Sequence, residues 1–367
     1  MSIGQQDLAP APSDAISSLV FHPTNPTHLL VTSWDRYLYH YDLSAPQDSQ
    51  LQARIEHRAP LLSAAWHSSD TPGIAYTVGL DYDVRAVDLS TSEQSILSSH
   101  GAPAAQVAYD ANSNTLISAS WDCTMHIHQP NPDNPRDATG SSVAIVRLPA
   151  KPFALALSPT NVIVAMSTRV VHIYSISSLA MLCKQAPSDS AVDVEPLQRR
   201  ESALKFMTRA VAAMPSDLGF ACSSIEGRVA VEWFDPSEEA QKKKYAFKCH
   251  RSKSHQRDPQ TGQDEEVDVV FPVHALAFHP VHGTFASGGG EGTVALWDAV
   301  AKRRIRQYQS LGSSIAAMGF SCDGKYLAMG ASPGFEDGDE GEGIGEGDVK
   351  VVVRELGEKE AQSRPPK

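Results

Sequence analysis

The chain has 367 residues, 41% of them hydrophobic and 20% charged, which is ordinary globular composition with length for a large core. Its 43 acidic against 31 basic residues give a formal charge of −12, which argues against the basic footprint of a general nucleic-acid binder. No uninterrupted apolar run approaches the roughly 20 residues that cross a bilayer, and Met1 to Asp14 has no basic segment followed by an apolar stretch, so a soluble intracellular protein is expected.

Residues 1–14 are polar and proline-dotted and are expected to form a flexible N-terminus. From Ile16 a unit begins that returns throughout the chain. An apolar run (Ile16 to Phe21) meets turn residues (His22-Pro23-Thr24-Asn25), and a second run (Leu29 to Thr32) leads into Ser33-Trp34-Asp35. A third run follows, with Leu38, His40 and Tyr41. Further copies read Gly79-Leu80-Asp81 into Val84, Ser120-Trp121-Asp122 into Met125, and Glu291-Gly292-Thr293-Val294 into Leu296-Trp297-Asp298.

Alignment on the turn acid gives Asp35, Asp81, Asp122, Thr168, Glu226, Glu291 and Glu346, with apolar partners Leu38, Val84, Met125, Val171, Val229, Val294 and Val349. The spacings are 46, 41, 46, 58, 65 and 55 residues. Blades of a β-propeller take about 40–45 residues, so seven need about 300 and leave the remainder for insertions. The expected fold is therefore all-β, a single seven-bladed WD-repeat β-propeller over residues 15–355. Closing the ring protects most strand edges. The turn acid is expected to accept backbone N–H bonds, and the neighbouring Trp to pack between blades.

The insertions are expected at about 131–142, 236–268 and 333–348, with a polar segment at 185–201 and a disordered tail at 356–367. The second holds Lys242-Lys243-Lys244, Lys248 and His250-Arg251, followed by a polar stretch from Ser252 that is expected to be mobile. The third is acidic and glycine-rich.

Most catalytic signatures are missing. There is no phosphate-binding loop ending in Gly-Lys-Ser/Thr and no Gly-x-Ser-x-Gly elbow, so no enzyme, no catalytic residue and no cofactor are expected. The acidic loop lacks the ligand order of an EF-hand, and His250 and His255 read as solvated loop residues, so no metal site is expected. The five scattered cysteines (Cys123, Cys183, Cys222, Cys249 and Cys322) suit neither a disulfide framework nor zinc and are expected to be reduced. What stands out is basic: Arg209, Arg228 and Lys248 lie close to the strands of the fifth copy. An arginine fork suits carboxylate or phosphate recognition.

The segments Arg200-Glu201-Ser202-Ala203-Leu204-Lys205 with Thr208-Arg209, Ser223-Ser224-Ile225-Glu226-Gly227-Arg228-Val229-Ala230-Val231-Glu232 and Gln241 to Arg251 resemble signatures of the mitotic checkpoint WD-repeat family of Bub-three. The resemblance runs along the whole chain. The messenger-RNA export propeller of nuclear pores shares Ile-Glu-Gly-Arg-Val and Phe-Lys-Cys-His-Arg, and Phe278 to Thr284 looks more like it; that alternative would bind a nucleoporin GLEBS segment. The Val-Ala-Val-Glu and Gln-Lys-Lys-Lys-Tyr-Ala-Phe segments favour the checkpoint family.

The resemblance implies a non-enzymatic spindle assembly checkpoint adaptor, in the nucleus and at kinetochores in mitosis, monomeric within heterocomplexes. It implies binding of the GLEBS segments of a checkpoint kinase and its pseudokinase-like paralogue, through Trp34 and Arg209. It also implies capture of phosphorylated Met-Glu-Leu-Thr repeats of the kinetochore scaffold, with Arg228 and Lys248 on the phosphothreonine. No membrane or nucleic-acid partner is implied.

Overall fold

The computed structural model describes residues 4–367 apart from 68–72, 138–141, 186–189, 258–263, 335–343, 346 and 364–367. Each sequence unit folds as a four-stranded antiparallel meander, and seven such sheets stand in a ring. Blade 1 pairs Ile16–Phe21, His28–Ser33, Tyr37–Asp42 and Leu51–Glu56, from the axis outward. Blade 5 pairs Thr208–Ala213, Gly219–Ser224, Arg228–Trp233 and Tyr245–Lys248. The second strands are buried on both faces, which explains their continuous apolar runs, and the core lies between neighbouring sheets. Leu29, Val31 and Tyr39 of blade 1 pack with Ala317, Ala328 and Val351 of blade 7. On the other face, Leu30 and Leu38 pack with Trp66 and Ala75 of blade 2. The seven-bladed propeller read from the repeat is the fold.

The turn between second and third strands has one geometry throughout. The residue after each aligned position is left-handed: Arg36 (φ 74°), Tyr82 (74°), Cys123 (67°), Arg169 (66°), Gly227 (62°), Gly292 (80°) and Gly347 (89°). A turn followed by one left-handed residue matches the right-handed twist of the strands it joins. Asp35 Oδ1 accepts the Tyr37 N–H at 3.0 Å and Asp122 Oδ1 the Thr124 N–H at 2.8 Å, the role expected of the acid. Thr168 precedes the same left-handed step, so the fourth copy keeps the turn without the carboxylate.

The chain ends and inserts differ from expectation. Gln5–Asp7, expected to be flexible, is the outer strand of blade 7 and pairs with Val352, Val353 and Arg354 of Lys350–Glu355. The tail, expected to be disordered, packs as far as Ser363: Glu360 and Ala361 are buried, and Thr284 Oγ1 donates to the Ala361 carbonyl at 2.7 Å. The segment 185–201 ends in Gln198–Glu201, the outer strand of blade 4. The supposed insert 236–268 contains the short helix Glu238–Gln241, the outer strand of blade 5, and an antiparallel hairpin of Arg251–Arg257 with Asp264–Val270. The expectations for 131–142, 185–201, 236–268, 333–348 and 356–367 fall partly outside the described residues, on 138–141, 186–189, 258–263, 335–343, 346 and 364–367.

His250 is also corrected. It is not solvated but buried, with Nδ1 2.6 Å from Glu291 Oε1 and Nε2 2.7 Å from Ser287 Oγ, which also accepts from Trp297 Nε1 at 2.8 Å. The link joins the entry of blade 6 to its second and third strands. His100 does the same in blade 3, with Nε2 2.9 Å from Ser118 Oγ and Nδ1 3.4 Å from Asp122 Oδ2. Burial pushes the Asp122 carboxyl up, but bonds from His100, Thr124 and the Gly101 N–H outweigh it and hold the group well below the usual range.

Candidate functional site

Every inner strand breaks register near its first residues. Bulges fall between Ile16 and Ser18, Leu61 and Ser63, Ala104 and Gln106, Pro152 and Ala154, Thr208 and Val211, Val273 and Ala275, and Ile315 and Ala317. A bulge bends its strand and re-aims a side chain. Here the skipped residues (Ser17, Leu62, Ala105, Phe153, Arg209 with Ala210, His274 and Ala316) all line one central cavity of about 930 Å³. Arg209 and His274 are thus equivalent positions of adjacent blades. Arg209 Nε donates to His274 Nδ1 at 3.2 Å, so the imidazole carries its acceptor on that nitrogen.

The turns that carry the motif lie at the end of each sheet where the inner strand starts, since Ile16 pairs with Ser33 and Ala104 with Ser120. Trp34 and Trp121 therefore reach the same cavity, where Met207 joins them. For Trp34 the expectation of packing between blades is overturned, since it lines the cavity and is 41% exposed; Trp121 lines the cavity and is half-buried. Trp34 and Arg209, assigned to one peptide, do share one opening. Trp121, Met207 and His274 were not read as site residues. For Trp121 the signal was present, because it holds the position of Trp34 in its own repeat.

Blade 5 places the remaining cations. Thr208 pairs with Ser224, Ser224 with Arg228, and Arg228 with Lys248, one transverse row across all four strands. Strands lie about 4.8 Å apart, so Arg228 stands roughly 10 Å outward from the strand of Arg209, and Lys248 one strand beyond. Directly opposed residues point to the same face, and two like charges there weaken a sheet unless an anion joins them. Arg228 Nε lies 3.1 Å from Glu226 Oε1, yet it is buried without an aligned hydrogen bond. Lys248 is exposed and has no ion-pair partner among the described residues.

The turn bearing Arg228 is held from below. A side chain on left-handed Gly227 would meet the Cys249 carbonyl at 2.7 Å and the Phe271 carbonyl at 3.0 Å. Arg251 Nη2 donates to the Glu226 carbonyl at 2.9 Å. The cysteines are free; burial pushes the Cys183 thiol up to about 11 and those of Cys222 and Cys249 up to about 12, which makes them poor nucleophiles. Among the described residues no cluster of His, Cys, Asp or Glu could hold a metal ion. No helix there is long and apolar enough to cross a membrane.

The family model of the WD domain, G-beta repeat, matches residues 91–129 and 270–298, which fall on blades 2–3 and 6. Mitotic checkpoint protein BUB3.1 of Arabidopsis thaliana is 37% identical over 363 residues, covering 98% of this chain and 95% of that protein. Spindle assembly checkpoint protein bub3 of Schizosaccharomyces pombe is 32% identical over 316 residues, covering 86% and 88%. The mRNA export factor GLE2 of Chaetomium thermophilum is 28% identical over 341 residues, covering 91% and 86%. With a fully closed seven-bladed ring and relatives of this identity along nearly the whole chain, the protein belongs to the Bub3 family of mitotic checkpoint WD-repeat proteins.

Proposed function

We propose that the protein is a non-enzymatic adaptor of the spindle assembly checkpoint, in the nucleus and at kinetochores in mitosis. Its cavity mouth, with Trp34 and Arg209, clasps GLEBS segments of a checkpoint kinase and its pseudokinase-like paralogue. Arg228 and Lys248 capture the phosphothreonine of Met-Glu-Leu-Thr repeats on the kinetochore scaffold. The reading needs no cofactor, and it does not use the turn acids for chemistry.

Family membership supports the checkpoint role. The observation that carries the residue assignment is the facing pair Arg228 and Lys248 on one row with the strand of Arg209. A phosphothreonine brings nearly two negative charges and three acceptor oxygens, which an Arg and a Lys side by side match in charge and number of donors. Arg209, two strands inward in the same blade, meets the cavity and suits acidic side chains of a peptide laid across it.

The two sites are separable. Arg228→Ala should weaken phosphopeptide binding by about 2–5 kcal/mol, the range for removing one partner of a charge-assisted contact, while GLEBS binding survives. Calorimetric titration with phosphorylated and unphosphorylated Met-Glu-Leu-Thr peptides, with a GLEBS peptide bound, reads this directly. Equal phosphopeptide affinity in variant and wild type would sink the assignment. Arg209→Ala should do the reverse, losing the GLEBS partner in a pull-down; full recovery of that partner counts against it. If both scaffold peptides bind alike while a nucleoporin GLEBS segment binds tightly, the export-factor reading takes its place.

A further inference from the structure

The hairpin of Arg251–Arg257 with Asp264–Val270 is a two-stranded sheet standing apart from the seven blades. Its first strand carries a basic residue at alternate positions, Arg251, Lys253 and His255, and so on one face. Its second strand answers with Glu266 and Asp268, which pair in register with His255 and Lys253. Lys253 Nζ lies 2.7 Å from Glu266 Oε2 in a pair whose side chains are both half or more exposed. Such a surface pair is weak and exchanges readily.

An isolated two-stranded hairpin is only marginally stable in water, and a third strand would complete it. One side of the basic strand is taken by the acidic strand; among the described residues no strand covers its other edge. This strand also continues the phosphate seat. Only Cys249 and His250 separate it from Lys248, and Arg251 holds the turn of Glu226 and Arg228. The Nε of Arg251, like that of Arg228, is buried without a hydrogen-bond partner.

We infer that the free edge of the basic strand takes an extended acidic segment that flanks the phosphothreonine on the same partner chain. The segment adds as a third strand, its backbone satisfying the edge. Carboxylates at alternate positions face Lys253 and the imidazole of His255, a donor beside the lysine, and extend the basic row that starts at Arg228 and Lys248. A basic segment is disfavoured on this edge by its charge. The inference rests on the phosphothreonine reading above and adds to it the chemistry of the sequence around that residue.

The test uses the full chain and three phosphothreonine peptides: a minimal one, one extended by alternating Asp and Ser, and one extended by alternating Asn and Ser. The acidic extension should raise affinity about tenfold, equivalent to about 1.4 kcal/mol, and should steepen the salt dependence. Lys253→Gln combined with His255→Gln should remove that gain and leave the minimal peptide unaffected. Proline at alternate positions of the acidic extension, which removes the N–H groups the edge needs, should also remove it. Equal affinity for all three peptides overturns the hairpin inference alone. A gain that survives both the double glutamine variant and the proline peptide overturns it too, by placing the acidic contact elsewhere. Failure of the minimal phosphopeptide to bind overturns the parent reading, and the hairpin inference with it.

Discussion

Replacing Glu360 by alanine is expected to destabilise the protein by about 3–5 kcal/mol, the cost of breaking a buried ionic cluster from one side. The carboxylate is almost fully buried and accepts from Arg306 Nη1 at 3.1 Å, Arg354 Nε at 3.0 Å and Tyr308 Oη at 2.8 Å. Arg306 lies on Arg303–Gln307, the outer strand of blade 6, and Tyr308 directly follows it, while Arg354 belongs to blade 7. Glu360 therefore ties together the two blades next to the closure of the ring. Burial alone would raise its pKa, but Tyr308, the Gly357 N–H and Arg354 outweigh that and lower it. Without the carboxylate, the Arg354 guanidinium (side chain 17% exposed) loses its acceptor in a largely buried site over the Tyr308 ring. Urea denaturation at neutral pH measures the loss. A change below about 1 kcal/mol, the value of a surface pair, would show that the tail does not hold the blades.

Acidification should unfold the protein near pH 5, before its carboxylates protonate. Burial lowers the imidazoles of His40, His57 and His279 to about 4, and those of His126 and His128 to about 3. In the unfolded chain each titrates near 6.5. As pH falls through that value the unfolded state takes up protons that the folded state refuses, so stability drops with falling pH. Each group contributes up to about 1.4 kcal/mol per pH unit until its folded pKa is reached. Several acting together exhaust the roughly 5–15 kcal/mol of a folded domain within one to two units. The carboxylates of Asp122 and Glu291, both lowered in the fold, add to the loss only at lower pH. Stability measured from pH 7 to 4 should fall steeply below 6.5. A flat curve down to pH 5 would mean that these imidazoles are not buried in neutral form.

Much of the platform was legible because its rules are local. A turn acid followed by a left-handed residue, between runs of strand-forming side chains, is set by a handful of neighbours, so Asp35, Asp122 and Glu291 announce it in sequence. The count of seven followed from spacing alone. Arg209, Arg228 and Lys248 stood out in sequence by their place beside the strands of the fifth copy, but only the resemblance attached roles to them, since nothing in composition separates them from other basic residues. His250 was misread for the opposite reason: its surroundings in sequence are polar, and its burial comes from Ser287 and Glu291, some 40 residues away.

What the chain order determines by itself is the repeated unit: three of the four strands in each blade, their turns and the number of copies. What tertiary structure decides is everything that needs a distant partner. Gln5–Asp7 has no strand signal and becomes one because Lys350–Glu355 offers an open edge. Glu360 is an ordinary charged tail residue until two blades bring Arg306 and Arg354 to it. The central cavity is lined by the residues skipped at seven bulges, which only the closed ring of blades brings to one axis. Short-range sterics write the repeat into the sequence, whereas closure and the site come from contacts whose partners lie tens to hundreds of residues apart.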